Sequence, residues 1–367
     1  MINPLLLPES DFMPGATSNY FANLISLLRQ GRLLRPLAVT YYVTTRCNLN
    51  CSYCEDFGAR RNAQAIPPLP LADALRVLAV IRTATDSVYL TGGEPLLHPH
   101  IDELAARAHT DLGLKITLQT NASLLHEHEA LLPHLSRLVV SLDTLDAEHW
   151  SGILNAPLHT AHKILENIRV YAAAQARFGY RMVVNCVITP ATIPTARAIL
   201  DFCKAENILV SFSPQAVQNW PNYDLLVSQE YKDFLLHLLA EKERGGPVLG
   251  SRAYLQTLFE FKPYACYPTL IPRVNPNGDL LYPCRPIEKE DNGHGGRPAN
   301  LLAVRNWNEA IQRATLEYGL PPVWCTSCFQ QCYAESSLLQ AQPAAWLSEW
   351  LRYPASRQAH LFTYAPG

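Results

Sequence analysis

The chain has 367 residues, of which 48% are hydrophobic and 17% are charged. This length and composition exclude a disordered or fibrous protein and suit one large globular domain, with or without a smaller one. The formal net charge of −2 provides no global positive field, which argues against a dedicated nucleic-acid binder.

No apolar run reaches the roughly 18 residues that a membrane-spanning helix needs. Even the apolar stretch 131–142 is interrupted by Pro133, His134 and Arg137. Residues 1–18 lack a basic segment leading into a continuous apolar core, so no secretory signal is predicted. We therefore expect a cytoplasmic protein. In that reducing compartment, ten cysteines that occur in clusters indicate metal ligands rather than a disulfide scaffold.

Short apolar segments typical of strands alternate with helical patterns up to about residue 215. Between the fourth and fifth of these segments, apolar residues recur at helical spacing from Ala161 to Ala172, which predicts an amphipathic crossover helix. Strands and helices in alternation form right-handed βαβ units with a parallel sheet, as either a doubly wound sheet or a partial barrel. Six strands are predicted, at 37–44, 87–90, 115–119, 138–142, 181–188 and 209–213.

The pattern changes after residue 215. Loop-forming residues are followed by two helical patterns, at 228–244 and 251–261. The next region is rich in Pro, Gly and Asn and contains five late cysteines, so we expect a small domain stapled by a metal site. The predicted division is a helical extension at 1–36, the sheet core at 37–215, a helical linker at 216–262, the cysteine-rich domain at 263–335 and a tail at 336–367.

The first cysteine cluster consists of Cys47, Cys51 and Cys54, directly after the first predicted strand. In parallel α/β proteins, ligands bind at the edge where the strands end. Three thiolates without a fourth nearby cysteine or histidine do not complete a tetrahedral zinc site. They suit a 4Fe-4S cluster whose fourth iron stays open to another ligand.

The segment from Thr45 to Cys54, with Tyr53 before the third cysteine, resembles the signature of radical S-adenosylmethionine enzymes. The resemblance implies an α/β fold with a partial (βα)6 barrel of the TIM type. It also implies that S-adenosylmethionine binds the open iron and that the reduced cluster cleaves it to methionine and a 5′-deoxyadenosyl radical. The electron would come from a donor such as flavodoxin or ferredoxin.

Glycine-rich and polar residues follow the next strands. Two glycines allow close backbone approach to a ligand, and a carboxylate can accept hydrogen bonds from an ammonium group. The run Gly92, Gly93, Glu94 and Pro95 resembles the family's Gly-Gly-Glu-Pro motif, which binds the methionine amino group.

Asn121 follows the third predicted strand, and Ser141 and Asp143 end the fourth. Polar groups at these strand ends can bond the ribose hydroxyls or the methionine carboxylate. Ser141 and Asp143 are similar to positions that contact the cofactor in the family. Capping of the next helix is the alternative for Asp143. With Tyr53, these residues complete the predicted cofactor site.

Two of the five late cysteines flank a predicted hairpin turn at 275–279, and the other three form a cluster some forty residues later. This arrangement resembles the auxiliary-cluster domains called SPASM and, in shorter form, twitch. The resemblance implies a second 4Fe-4S cluster held by four of the five cysteines, with Cys325 or Cys332 as the first candidates for the spare one. A zinc site is the alternative, because four thiolates satisfy zinc equally well. The five are Cys266, Cys284, Cys325, Cys328 and Cys332.

The expected function is abstraction of hydrogen from a small molecule or a lipid by the deoxyadenosyl radical. The alternatives are modification of a ribosomally synthesised peptide and, in another class, a non-catalytic iron-sulfur or zinc scaffold or sensor. Amphipathic patterns near 21–35 and 346–351 allow contact with a membrane surface, but packing over the barrel is the preferred interpretation.

Overall fold

The computed structural model describes residues 14–284, 299–322, 324–325 and 328–353. Six strands form the centre of the fold, and each pairs in parallel with the next. The α/β class and the partial parallel barrel predicted from the sequence are confirmed. The strands are β1 (Val39–Thr44), β2 (Ser87–Gly92), β3 (Lys115–Thr120), β4 (Leu135–Ser141), β5 (Arg181–Ile188) and β6 (Leu209–Pro214).

Helices cover the outer face of this sheet and continue beyond it. Among the described helices, none combines the length and the apolar character that crossing a bilayer requires. The first ten are α1 (Ala16–Leu28), α2 (Leu71–Arg82), α3 (Ile101–Thr110), α4 (Ala147–Leu154), α5 (Leu158–Ala173), α6 (Gln175–Phe178), α7 (Ile193–Ala205), α8 (Tyr223–Val227), α9 (Gln229–Glu243) and α10 (Arg252–Glu260). Later helices are Trp307–Tyr318, Gln331–Ala341 and Pro343–Arg352.

Alternation along the strands separates an apolar outer face from a cavity-lining inner face. In β3, the outward Ile116 and Leu118 are fully buried under helices. The side chains that alternate with them, Thr117 and Gln119, line the barrel interior. Burial of the outward apolar residues against α2 to α7 holds the barrel together, because each such side chain contributes roughly 1.5–3 kcal/mol.

A hairpin from the cysteine-rich region extends the barrel sheet. Strand β10 (Arg273–Val274) pairs in parallel with β1, and Thr40 is in register with Arg273. Strand β11 (Leu280–Leu281) then pairs with β10 in antiparallel fashion. The predicted turn at 275–279 is present, since the Asn275 amide donates to the Asp279 carbonyl at 2.8 Å. The hairpin is thus continuous with the main sheet, and the predicted domain boundaries stay a prediction.

Two pairs of short antiparallel strands lie outside the main sheet. Strands β7 (Ala216–Val217) and β8 (Trp220–Pro221) form a hairpin after β6. Strand β9 (Tyr264–Ala265) pairs in antiparallel fashion with β12 (Trp324–Cys325), which brings the late cysteine segments together.

The helix Gln331–Ala341, named the closing helix, lies on the open side of the sheet. Its first residue bonds Ser211 of β6, and the preceding Gln330 bonds Arg273 of β10. The closing helix therefore spans the gap that a six-stranded partial barrel leaves between its edges.

The two terminal helices pack over the barrel, as the preferred interpretation expected. Tyr20 of α1 is buried and stacks on Trp346 with 4.8 Å between ring centroids. The Tyr20 hydroxyl also donates to the Leu339 carbonyl of the closing helix at 3.2 Å. The outer faces of these helices still expose apolar side chains, including Leu28 and Trp350.

Candidate active site

A cavity of about 560 Å³ occupies the barrel interior and reaches the edge where the strands end. All three cysteines of the first cluster line it. Cys332, from the late group, lines it as well. The cavity therefore lies where ligands bind in parallel α/β folds, and it connects the two regions in which the sequence predicted metal sites.

The loop that carries the first three cysteines is fixed by side chains outside it. Asn62 clamps Cys47 from both directions: its Oδ1 accepts from the Cys47 amide at 3.0 Å, and its Nδ2 donates to the Cys47 carbonyl at 2.9 Å. Arg60 donates to the Cys54 carbonyl at 2.7 Å. The Ser52 amide donates to the Ile153 carbonyl at the end of α4 at 2.8 Å. Hydrogen bonds from residues outside the loop thus hold its conformation.

The three thiols are close enough to influence each other's ionisation. Burial raises the pKa of Cys47 to about 11, and the nearby Glu94 and Cys54 add to this. Burial also raises the pKa of Cys51 to about 12, followed by repulsion from Cys54 and Cys47. Metal or cluster binding must displace these protons, because the thiolate is the ligand. Three converging thiols on a fixed loop fit a 4Fe-4S cluster held through three irons.

Within the described ranges, no group of three His, Cys, Asp or Glu side chains is close enough to hold a single metal ion.

Gly92 and Gly93 bring the loop after β2 against the cysteine loop. A Cβ on Gly92 would lie 1.9 Å from the Thr44 carbonyl oxygen, and one on Gly93 would lie 2.1 Å from that of Arg46. This approach permits the Gly93 amide to donate to the Thr44 carbonyl at 3.0 Å. The Glu94 amide likewise donates to the Arg46 carbonyl at 2.8 Å. Both glycines also line the cavity, as the resemblance implied for cofactor contact.

The Glu94 carboxylate faces the protein interior and does not line the cavity. Its Oε1 accepts from the Thr120 hydroxyl at 2.7 Å and from the Leu96 amide at 3.0 Å. Its Oε2 accepts from the Asn121 amide at 2.8 Å. Burial raises the pKa of Glu94 to about 7. Glu94 thus ties the loops after β2 and β3 together, and its contact with an ammonium group stays a prediction.

Pro95 is buried and begins a short 3-10 turn (Pro95–Leu97), so it supports this loop from within. Asn121 lies on the cavity wall. Its Nδ2 donates to Asn48 of the cysteine loop at 2.9 Å, and its Oδ1 accepts from the Ser123 amide at 3.0 Å. Asn121 thus joins the β3 loop to the cysteine loop while exposing part of its surface to the cavity.

Tyr53 and Asp143 form a second internal brace. The Tyr53 hydroxyl donates to Asp143 Oδ2 at 2.7 Å, and the Val187 amide donates to Oδ1 at 2.8 Å. Asp143 is fully buried, and burial raises its pKa to about 7. Tyr53 and Ser141 line the cavity, whereas Asp143 does not. Asp143 therefore positions Tyr53 rather than capping the next helix, whose cap is Asp146.

The late cysteines approach one another beside the cavity. Cys266, Cys284 and Cys328 are buried. Cys328 lies near enough to Cys332 and Cys266 that both add to the rise of its pKa, which burial dominates. The side chain of Cys325 falls outside the described residues, although its backbone forms part of β12. The choice among iron-sulfur and zinc ligand sets stays a prediction.

Sequence reasoning missed the residues that close the cavity laterally. Arg273, Gln330, Gln331 and Glu335 all line it. Arg273 stands in an apolar hairpin, between Pro272 and Val274, and a charged residue in such a segment was the available signal. Nothing in the helical pattern of 331–341 showed that this helix faces the barrel interior.

Comparisons with known proteins point to one superfamily. Residues 41–195 match the family model described as the Radical SAM superfamily. The chain is 30% identical over 227 residues to a GTP 3′,8-cyclase of Rhodococcus opacus (strain B4), covering 58% of this chain and 60% of that protein. It is 38% identical over 170 residues to the GTP 3′,8-cyclase of Mycobacterium marinum (strain ATCC BAA-535 / M), covering 45% of each. The chain thus spans about half the length of these curated relatives.

Two solved structures share the fold. Streptococcus suis SuiB bound to its precursor peptide SuiA aligns with a TM-score of 0.57, 19% identity, and coverage of 81% of this chain and 72% of that one. The tagged protein anSMEcpe with bound AdoMet aligns with a TM-score of 0.55, 16% identity, and coverage of 76% and 80%. At these identities the likeness concerns the fold.

Proposed function

Because residues 41–195 match the Radical SAM superfamily model, we propose that the chain is an enzyme of that superfamily, which uses a 4Fe-4S cluster and S-adenosylmethionine to remove a hydrogen atom from a small molecule held in the barrel. One observation carries the proposal: Cys47, Cys51 and Cys54 line the same cavity as Gly92 and Gly93. The protein thereby places three thiol ligands beside a backbone that is free to approach a cofactor.

Different residues would bind the cluster and S-adenosylmethionine. The three loop cysteines would bind the cluster and leave one iron for S-adenosylmethionine. When bound, these cofactors supply a 5′-deoxyadenosyl radical after one-electron reduction. The contact to the methionine amino group would come from the backbone of Gly92 and Gly93, because Glu94 is already bonded to three donors.

The remaining polar groups orient the cofactor. Ser141 and Asn121 are on the cavity wall and would contact the ribose or the methionine carboxylate. Tyr53 presents its ring to the cavity while its hydroxyl is fixed on Asp143. A ring held in this way keeps the third cysteine in place and limits water around the thiolates. Such prior ordering lowers the entropy cost of binding.

A second 4Fe-4S cluster at the late cysteines completes the proposal. These thiols lie next to the cavity, and Cys332 is on its wall. A cluster there would either accept an electron from the product radical or help to hold the substrate. A donor of the flavodoxin or ferredoxin class would supply the reducing electron.

The substrate is proposed to be a small molecule. The cavity volume of about 560 Å³ is within the range typical of small-molecule pockets. The curated relatives are named for a reaction of GTP, but their match covers only 45–60% of their length. Their reaction is therefore a starting point for substrate screening rather than an assignment.

The proposal is tested by measuring 5′-deoxyadenosine after anaerobic reconstitution and reduction with dithionite in the presence of S-adenosylmethionine. We expect release by the wild type and, in Cys51→Ala, a loss larger than the roughly 10–100-fold that follows from removing a partner of a metal ligand. Cys203→Ala is the matched control, because Cys203 is a buried cysteine on α7 that does not line the cavity. Equal release by Cys51→Ala and the control would contradict the proposed function.

A further inference from the structure

The inner wall of the barrel carries a set of polar side chains among apolar ones such as Val139 and Val183. Side chains that face the interior from β3, β5 and β6 carry hydroxyl or amide groups. A molecule that fills this part of the barrel must pair these groups, because burying them unpaired costs free energy. The polar side chains are Thr117, Gln119, Asn185, Ser211 and Ser213.

Arg273 adds a positive charge to this wall. It is 9% exposed and lines the cavity at the junction of β10 with β1. Its Nη1 donates to the Tyr42 hydroxyl at 2.7 Å, and its Nη2 donates to Gln330 Oε1 at 2.7 Å. The guanidinium carbon also lies 4.9 Å from the centre of the Tyr333 ring. The protein thus fixes the orientation of this cation with several neutral groups.

No carboxylate neutralises Arg273 in the part of the chain that the structure describes. Its remaining bond runs from Nη2 to the Cys332 sulfur at 3.3 Å, and its Nε is buried without a hydrogen-bond partner. Glu335 lines the same cavity, but its two oxygens accept from the Ser251 amide and from Gln331. Burying a cation costs free energy unless an anion or a full set of acceptors compensates it. The fixed orientation and the Nε donor that has no partner together indicate a ligand.

We propose that Arg273, supported by Gln330 and Tyr42, forms a subsite for an anionic group, a carboxylate or a phosphate, of a polar small molecule. Calling that molecule the substrate rests on the proposed function. Nη1 keeps one hydrogen that Tyr42 does not use, and Nε has no partner, so the guanidinium can still donate to an oxyanion of either class. The subsite lies on the cavity wall next to Cys332 and beside Thr40 of β1, so the rest of the molecule would extend into the barrel.

A role in supporting the late cysteines is the main competing explanation, because Arg273 contacts Cys332. The two explanations differ in what the loss of the guanidinium changes. A supporting role predicts loss of iron from the protein. An anion subsite predicts unchanged iron and weaker anion binding.

The test uses the reconstituted holoprotein with S-adenosylmethionine and two probes, inorganic triphosphate and citrate, in anaerobic calorimetric titrations. We expect at least one probe to bind the wild type and to bind Arg273→Gln at least 10-fold more weakly, with partial recovery in Arg273→Lys. Arg313→Gln is the control for loss of one positive charge, because Arg313 is an exposed helix residue paired with Glu309. Preference for triphosphate or for citrate identifies the phosphate or the carboxylate class.

Iron content and visible absorption are measured on the same samples. Binding that is equal in wild type and Arg273→Gln, or absent from both, would overturn the subsite, as would loss of iron in Arg273→Gln. Release of 5′-deoxyadenosine by the wild type is recorded in parallel. Failure of that release with the anion binding intact would count against the proposed function and leave the subsite standing.

Discussion

Replacing Gly93 by alanine tests whether close backbone contact between two loops builds the cofactor site. The new Cβ would lie 2.1 Å from the Arg46 carbonyl oxygen, which is backbone and cannot rotate away. The loops must separate, and the bonds from the Gly93 and Glu94 amides to the cysteine loop are then weakened. Overpacking costs about 1–3 kcal/mol and each lost hydrogen bond about 1 kcal/mol, so we expect about 3–5 kcal/mol of destabilisation.

Gly152→Ala is the matched control. Gly152 lies in α4, and a Cβ there would meet no atom within 4 Å. Alanine is favoured over glycine inside a helix by about 1 kcal/mol, so this variant should be as stable as the wild type or more stable. Urea unfolding of the anaerobic reconstituted proteins gives the comparison, together with 5′-deoxyadenosine release. If Gly93→Ala matched Gly152→Ala in both measurements, the close contact would not be what shapes the site.

Four further outcomes are expected. In a protein whose late cysteines are replaced by alanine, Asn62→Ala should lower the iron content several-fold, because the two hydrogen bonds that hold Cys47 are lost. Asn48→Ala should lower it less, because Asn48 is an exposed residue. Tyr53→Phe should destabilise the protein by about 1–3 kcal/mol in urea unfolding, since Asp143 Oδ2 loses its donor. Burial lowers the pKa of His98 to about 4 in the folded protein, so the unfolded chain takes up a proton at this residue at higher pH than the folded protein does. The free energy of unfolding should therefore fall as the pH drops from about 6.5 to about 4. In His98→Asn this fall should be shallower, by up to about 1.4 kcal/mol per pH unit. Lys242→Met should cost about 3–5 kcal/mol by leaving buried Glu349 without the partner now 3.0 Å away, and equal stability of variant and wild type would refute this.

The strand pattern could be predicted because it depends on local alternation. The boundaries of β5 at Arg181 and Ile188 match the predicted ones, because a short run rich in β-branched and apolar residues marks this strand. Strand β4 begins at Leu135, three residues before the predicted start, because Leu135 pairs with Ile116 of β3. Partner strands, which the local pattern does not contain, set such ends.

The orientation of the carboxylates could not be predicted. Glu94 faces inward because Thr120 and Asn121, which belong to the next βα unit, donate to it. Asp143 faces inward because of Tyr53 and Val187, which lie 90 and 44 residues away in the chain. Motif resemblance locates such residues at the correct edge of the sheet but does not decide which atoms face the ligand.

The late hairpin likewise has features that the local sequence predicts and features that depend on distant residues. Its turn could be predicted because the turn-forming residues from Asn275 to Asp279 are adjacent in the sequence, and the two strands lie on either side of them. Its parallel pairing with β1 joins Thr40 to Arg273 and depends on the whole fold. That pairing brings a buried cation to the cavity wall, and it is the reason the anion subsite emerges only from the structure.

The most direct test of the central claim is electron paramagnetic resonance of a variant in which Cys266, Cys284 and Cys328 are replaced by alanine. This variant keeps the three cavity-lining cysteines of the loop after β1. We expect one reduced 4Fe-4S signal whose g values shift when S-adenosylmethionine is added, and no such signal when Cys51 is also replaced. A signal that S-adenosylmethionine leaves unchanged, or one that survives loss of Cys51, would contradict the assignment of this loop as the cofactor site.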